Sequence, residues 1–172
     1  MTRHRCFVSL DLPDALQEAA KQAQRALRPQ APQLRYTAPE NLHLTLKFLG
    51  EISPEQVLVV RERLRAVESA PFSVALNGAG VFSPRIVWLA VSGADALQQK
   101  IDAALEGVFT PERRFMGHVT IARTKRIPES LSATLDRLDM SNSAALVRSF
   151  SLQESHLSHL GPTYETLERY AL

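Results

Sequence analysis

The chain writes one four-residue pattern twice. Residues 40–51 read ENLHLTLKFLGE and residues 115–125 read FMGHVTIARTK, so His43-Leu44-Thr45-Leu46 and His118-Val119-Thr120-Ile121 are both His-x-Thr-x inside a short apolar run. A run whose every second residue is apolar folds most economically as a half-buried strand. A slip of one residue would bury the histidine and threonine and expose the leucines, so the register of each strand is tightly constrained. On such a strand alternate side chains share a face. His43, Thr45 and Lys47 are therefore expected on one side, with Leu42, Leu44, Leu46 and Phe48 on the other, against a core. In the second copy His118 and Thr120 share a face while Val119 and Ile121 pack inward.

Around these strands the order of elements repeats. Cys6–Leu12 alternates with period two and predicts a strand; Pro13–Arg28, opened by proline and rich in Ala, Leu and Gln, predicts a helix. QLRY is a short strand and NLHLTLKFLG a longer one. Ser53, with Pro54 at the first helical position and Gln56 three residues on, signals a capped helix reaching about Glu68. PFSVALNGAGVF is a strand, with Asn77–Gly80 read as a turn. The order then restarts: a strand over Arg85–Val91, a helix over Gly93–Val108 with an apolar stripe of Ala96, Leu97, Ile101, Ala104, Leu105 and Val108, the second His-x-Thr-x strand, a helix from Pro128 to about Leu138, and two final strands. Because the motif falls at the same step of both series, the chain reads as an internal duplication, approximately residues 1–84 and 85–172, within one domain. The expected fold is α+β: two pseudo-symmetric lobes, each a small, mainly antiparallel sheet with helices on its outer face, enclosing a central cleft and able to exchange strands.

Composition narrows the function. Of 172 residues, 45% are apolar and 22% charged, ordinary values for a globular protein. The net charge of +2 suits an anionic ligand but is too small for broad coating of nucleic acid. The lone Cys6 excludes an intrachain disulfide and a cysteine zinc site, and its apolar setting marks a buried structural thiol. No run approaches the ~18 apolar residues of a membrane span, and the apolar stretch near the start is too short for a signal peptide. A cytoplasmic monomer without membrane partners is expected.

Two imidazoles and two hydroxyls, one of each per strand, converge if the two sheets face each other. Phosphodiester hydrolysis needs one proton taken from the attacking water and one given to the departing oxygen. Histidine titrates near neutrality and serves in either role. In-line displacement sets the entering and leaving oxygens on opposite sides of phosphorus, which one histidine from each lobe matches. The threonine hydroxyls can donate to the non-bridging oxygens. The scheme calls for no metal or other cofactor, and neither motif carries a further Asp, Glu or His at ligand spacing. The residues alone do not order the pair into acid and base. His156 and His159, in SHLSH, read as exposed; His4 carries no signal.

FVSLDLPD, ENLHLTLKFLGE, GHVTIAR and the closing SHLSHLGPTYETLERYAL, with its GP-x-Y-E turn, together resemble the 2H phosphoesterases nearly end to end. The likeness is to the RNA 2',3'-cyclic phosphodiesterases first described as bacterial and archaeal 2'-5' RNA ligases. The resemblance implies hydrolysis of an RNA 2',3'-cyclic phosphate, or of a small cyclic nucleotide, to a 2'-phosphate. It implies His43 as proton donor to the 3' oxygen, His118 as the base that activates water, and Thr45, Thr120 and Arg123 as phosphate ligands. Arg123 has the wrong parity on an ideal strand and needs a strand end or a bulge after Thr120 to reach the cleft. Many relatives carry Pro directly before the second histidine, where this chain has Met116 and Gly117. The alternatives are a nucleotide or 2'-phosphate binding module without turnover, and 2'-5' ligation by the reverse reaction, which water at ~55 M disfavours.

Overall fold

The computed structural model describes residues 3–82, 85–141 and 143–172. In chain order the elements are β1 (His4–Leu10), α1 (Asp14–Leu27), β2 (Arg35–Tyr36), a 3₁₀ turn (Pro39–Asn41), β3 (Leu44–Ile52), α2 (Pro54–Arg65), β4 (Phe72–Phe82), β5 (Ile86–Ser92), α3 (Asp95–Ala104), β6 (His118–Arg123), α4 (Leu131–Leu135), β7 (Ala145–Val147), β8 (Ser149–Ser158) and β9 (Gly161–Ala171). The fold is α+β, as the pattern of the sequence predicts. Among the described residues no helix is long and apolar enough to cross a membrane.

The strands form one curled antiparallel sheet in the order β7-β4-β5-β6-β3-β1-β8-β9, with β2 added beside β6. Its middle joint is β3 against β6, the two His-x-Thr-x strands, which pair at Leu44 and Val119. On one side of the joint lies the wing β3-β1-β8-β9; on the other lies β6-β5-β4-β7. The wings do not follow chain order. β4 leaves the first half to pair with β5, and β8 returns from the second half to pair with β1. The boundary expected near residue 84 falls on positions outside the described residues.

The helices bind to the sheet by the apolar face that their spacing provides. α1 buries Leu16, Ala20, Ala23 and Leu27, the i, i+4, i+7, i+11 stripe of an amphipathic helix. Gln24 on the same face donates to the carbonyls of Thr37 (2.8 Å) and Ile121 (2.9 Å), tying α1 to β6. α2 begins with the capping box expected at Ser53: Gln56 N–H donates to Ser53 Oγ (3.3 Å) and Ser53 N–H to Gln56 Oε1 (3.0 Å). α3 buries Leu97, Ile101 and Leu105 of the expected stripe, but also Gln98 and Asp102. Cys6 is fully buried in β1, and burial, with a smaller contribution from Glu154, pushes its thiol up to about 12, which leaves it protonated and inert.

Asn77–Gly80 is not a turn. It lies inside β4, with Asn77 bulged out of the β4–β5 register between Leu76 and Gly78. The glycine serves close approach rather than reversal: a Cβ on Gly80 would stand 2.6 Å from the Trp88 ring, which lies across it.

Candidate active site

Because β3 and β6 run antiparallel through Leu44 and Val119, His43 and Thr120 flank one side of that pair, and Thr45 and His118 the other. Leu44 and Val119 are buried, so the four polar side chains stand on the opposite face, away from the core. The joint of the two wings thus carries both histidines and both threonines.

Each histidine is oriented in the same way by its own strand. His43 Nδ1 donates to the carbonyl of Asn41 (2.8 Å), and His118 Nδ1 donates to the carbonyl of Met116 (2.8 Å), in each case two residues back. A carbonyl can only accept, which assigns the proton to Nδ1 in both rings and leaves Nε2 to work. Thr45 Oγ1 donates to His43 Nε2 at 3.1 Å. Asn41 is itself anchored, its Nδ2 donating to the Pro162 carbonyl at the start of β9 (2.8 Å).

The surroundings of the two rings differ. His43 sits between Phe7 (ring centroids 5.0 Å apart, tilted) and Tyr164 (5.0 Å, edge-on). Burial there holds its imidazolium below the ordinary histidine range; the Asn41 carbonyl pulls the other way, and the positive charges of His118 and Arg123 add to the depression. Among the described residues the one aromatic ring against His118 is Phe82 (5.3 Å, T-shaped), which in turn lies against Trp88 (5.1 Å).

Arg123 reaches this face through a bulge. Thr120 pairs with Trp88 and Ala122 with Val87, so Ile121 is the extra residue; Ile121 and Ala122 are both buried and Arg123 turns outward. Its charge is felt at His43 and at the Tyr164 hydroxyl.

Lys47 and Phe48 correct the expectation from alternation. Ser9 pairs with Thr45 but Val8 with Lys47, so Leu46 is bulged and the strand changes face after Thr45. Lys47 is 3% exposed and points into the helix layer, where it donates to Asp102 of α3 and to the Thr110 carbonyl (2.8 Å). Asp102 also accepts from Gln98 Nε2 (2.8 Å) and Glu112 N–H (2.9 Å). Burial raises its carboxyl, but these donors together outweigh burial and hold it below the usual range. Phe48, expected in the core, is 50% exposed on the histidine face.

Gly117 also has a local reason. Val91 N–H donates to its carbonyl (2.8 Å), and a Cβ on Gly117 would stand 2.5 Å from the Val91 carbonyl oxygen. A side chain before His118 therefore cannot enter without moving β5.

Tyr164, Asn41, Phe82 and Trp88 surround the histidines but carried no role in the sequence. Tyr164 alone had a signal, its place in GP-x-Y-E; Phe7 is a packing residue at 4% exposure that also walls His43. Among the described residues, the one group of three or more potential metal ligands is Glu154, His156 and Glu165, on β8 and β9 and apart from both motifs.

Residues 10–88 match the family model described as LigT like Phosphoesterase. The whole chain is also similar to an RNA 2',3'-cyclic phosphodiesterase of Methanothermobacter thermautotrophicus, with 33% identity across 98% of both chains. The chain belongs to the LigT-like phosphoesterases. Its fold agrees: this LigT-like phosphoesterase superposes on a Thermus thermophilus protein with a TM-score of 0.81 and 29% identity, covering 98% of this chain and 97% of that one. It superposes on E. coli LigT complexed with 3'-AMP with a TM-score of 0.79 and 26% identity, covering 99% of each.

Proposed function

We propose that the protein hydrolyses RNA 2',3'-cyclic phosphodiester ends to 2'-phosphomonoesters by acid–base catalysis between His43 and His118, without a metal. One observation carries the reading: both rings give Nδ1 to a carbonyl two residues back, so both Nε2 atoms remain for chemistry on one face of the β3–β6 joint. The 33% identical relative that bears this activity in its name, and the binding of 3'-AMP by E. coli LigT, support the substrate class.

The cyclic phosphate lies between the rings, with its non-bridging oxygens toward Thr45, Thr120 and Arg123, which hold the charge that grows on them in the transition state. Neutral His118 accepts at Nε2 a proton from a water. The water oxygen bonds to phosphorus as the phosphorus–O3' bond breaks, and protonated His43 gives its Nε2 proton to O3'. The product carries a 2'-phosphate and a 3'-hydroxyl, and the two histidines have exchanged protonation states, which solvent resets. The anionic substrate assists its own turnover, because a negative charge beside His43 opposes the depression that burial causes.

One feature favours the reversed order. A histidine held below the ordinary range is more readily a base than an acid, which would make His43 the water-activating group. The basic test is common to both orders. A short RNA ending in a 2',3'-cyclic phosphate, incubated with enzyme and EDTA, should give the 2'-phosphate alone. A 3'-phosphate product, or loss of turnover in the chelator, refutes the scheme.

A further inference from the structure

We propose that Arg5 and Phe48 form a subsite for the nucleotide that precedes the terminal cyclic phosphate in an RNA chain, Phe48 stacking its base and Arg5 holding the phosphodiester that joins it to the terminal nucleotide. The inference rests on the proposed reaction, and specifically on His43 as donor to O3'. That oxygen belongs to the ribose, so the ribose lies on the His43 side of phosphorus and water enters from the His118 side. The rest of the RNA must therefore leave over the wing that carries His43, across β3 and β1.

Arg5 and Phe48 lie on that route. Phe48 stands opposite Phe7 in the β1–β3 ladder, and Phe7 packs on the His43 ring, so Phe48 shares the histidine face. Arg5, two residues from Phe7 on β1, is on this face as well, its guanidinium carbon 4.8 Å above the centre of the Phe48 ring. Along β1 the row runs from Ser9, opposite Thr45, to Phe7, opposite Phe48, to Arg5, in steps of about 7 Å. It leads away from the reacting phosphate one strand repeat at a time.

Two features of this pair are turned toward solvent rather than into the core. The bulge at Leu46 sends Lys47 to the core and brings a phenylalanine out to 50% exposure between a buried lysine and a buried leucine. Among the described residues Arg5 makes no ion pair, although Glu51 stands opposite it in the β1–β3 ladder, so its guanidinium is available to an anion. A half-exposed phenylalanine ring with a guanidinium over it is a combination that binds a single-stranded nucleotide, whose base is a flat apolar plate and whose linkage is an anion. The Tyr164 ring, which lies 5.1 Å from Phe7 and 5.0 Å from His43, feels the charges of both Arg5 and Arg123 at its hydroxyl.

The test compares adenosine 2',3'-cyclic phosphate with a dinucleotide ending in the same group. In the native enzyme the dinucleotide should have the higher kcat/KM. Phe48→Ala should lower the dinucleotide-to-mononucleotide ratio of kcat/KM about 10-fold, the worth of one stacked base, and Phe48→Tyr should restore it. Arg5→Gln should lower the same ratio and flatten its dependence on salt. Removing the base but not the sugar-phosphate from the first unit of the dinucleotide should abolish the effect of Phe48→Ala and keep that of Arg5→Gln. A ratio unchanged in both variants overturns the subsite. Equal loss on both substrates does so too, since it would mean damage to the catalytic centre. Calorimetric binding of the 2'-phosphorylated dinucleotide reads the subsite without turnover. Loss of that affinity in Phe48→Ala supports it even if the native enzyme hydrolyses neither substrate, in which case the proposed reaction alone fails.

Discussion

The two His-x-Thr-x strands begin alike and end in different surroundings. Both histidines take the same tautomer from a carbonyl two residues back, at the same 2.8 Å. Yet His43 is walled by Phe7 and Tyr164 and braced through Asn41 to β9, whereas His118 follows a glycine pressed against β5 and, among the described residues, meets one aromatic ring. The motif fixes which nitrogen is offered; at His43 the wing behind it also makes that nitrogen harder to charge. The wall around His43 lowers its imidazolium, which on its own favours a base there, so the proposed division of acid and base, with His43 as donor, depends on the substrate's negative charge opposing that depression.

Replacing either histidine gives the largest effect and tests that division directly. His43→Ala and His118→Ala should each lower kcat/KM by about 10²–10⁴, the usual contribution of one positioned acid or base. A substrate with sulfur in place of the bridging 3' oxygen departs without a proton. It should recover most of the loss in the variant lacking the acid and little in the variant lacking the base. Recovery in His43→Ala assigns His43 as the acid, recovery in His118→Ala reverses the order, and equal recovery in both means that the two ends are not differentiated.

The core of this arrangement was legible in the sequence because period two holds over the residues that matter. From Leu42 to Thr45 and from His118 to Thr120 the alternation is intact, and the histidines and threonines stand where parity puts them. One residue later in each strand a bulge breaks the rule, at Leu46 in β3 and at Ile121 in β6. Parity then fails for Lys47 and Phe48, which exchange faces, and for Arg123 the bulge is one of the two ways back to the cleft that its parity left open. A bulge leaves no mark in hydrophobic pattern when leucine and isoleucine are apolar on either face. The path of the strands was equally hidden: that β8 pairs with β1, and β4 with β5, depends on contacts between distant segments that periodicity does not encode. Asn77–Gly80 misled for a related reason, since a glycine cleared for the Trp88 ring has the same letter as a glycine in a turn.

Gly117 offers a smaller perturbation confined to one end. A Cβ there would lie 2.5 Å from the Val91 carbonyl oxygen, so Gly117→Ala must push β5 and β6 apart or tilt the peptide before His118. The cost should be about 1–3 kcal/mol, in the range of overpacking a fitted site, measured by chemical denaturation. The fall in kcat should exceed anything produced by Leu42→Ala at the equivalent position before His43. Leu42 is a buried core residue whose truncation removes contacts without forcing the backbone. If the two variants lose kcat equally, the approach of β5 to Gly117 does not set the aim of His118.

The smallest effect is in the pH dependence of stability, and its sign follows from the wall around His43. Burial is the main reason its imidazolium lies below the ordinary range, with repulsion from His118 and Arg123 behind it. In the unfolded chain the same ring takes its proton near pH ~6.5. Between that value and the lower folded one the unfolded state binds more protons at this position, so stability must fall as pH drops through ~6.5 and regain nothing from this group above it. His43→Gln removes the group from both states and should make the decline from neutral to acid pH shallower than in the native protein. In the ring-proton NMR titration the His43 midpoint should lie below ~6.5 in the empty site. Arg123→Gln should move it upward by removing a positive neighbour, and a bound 2'-phosphate should move it upward by adding a negative one. A midpoint at or above ~6.5 without ligand would mean that Phe7 and Tyr164 do not exclude water from the ring, and the asymmetry between the two ends would lose its physical cause.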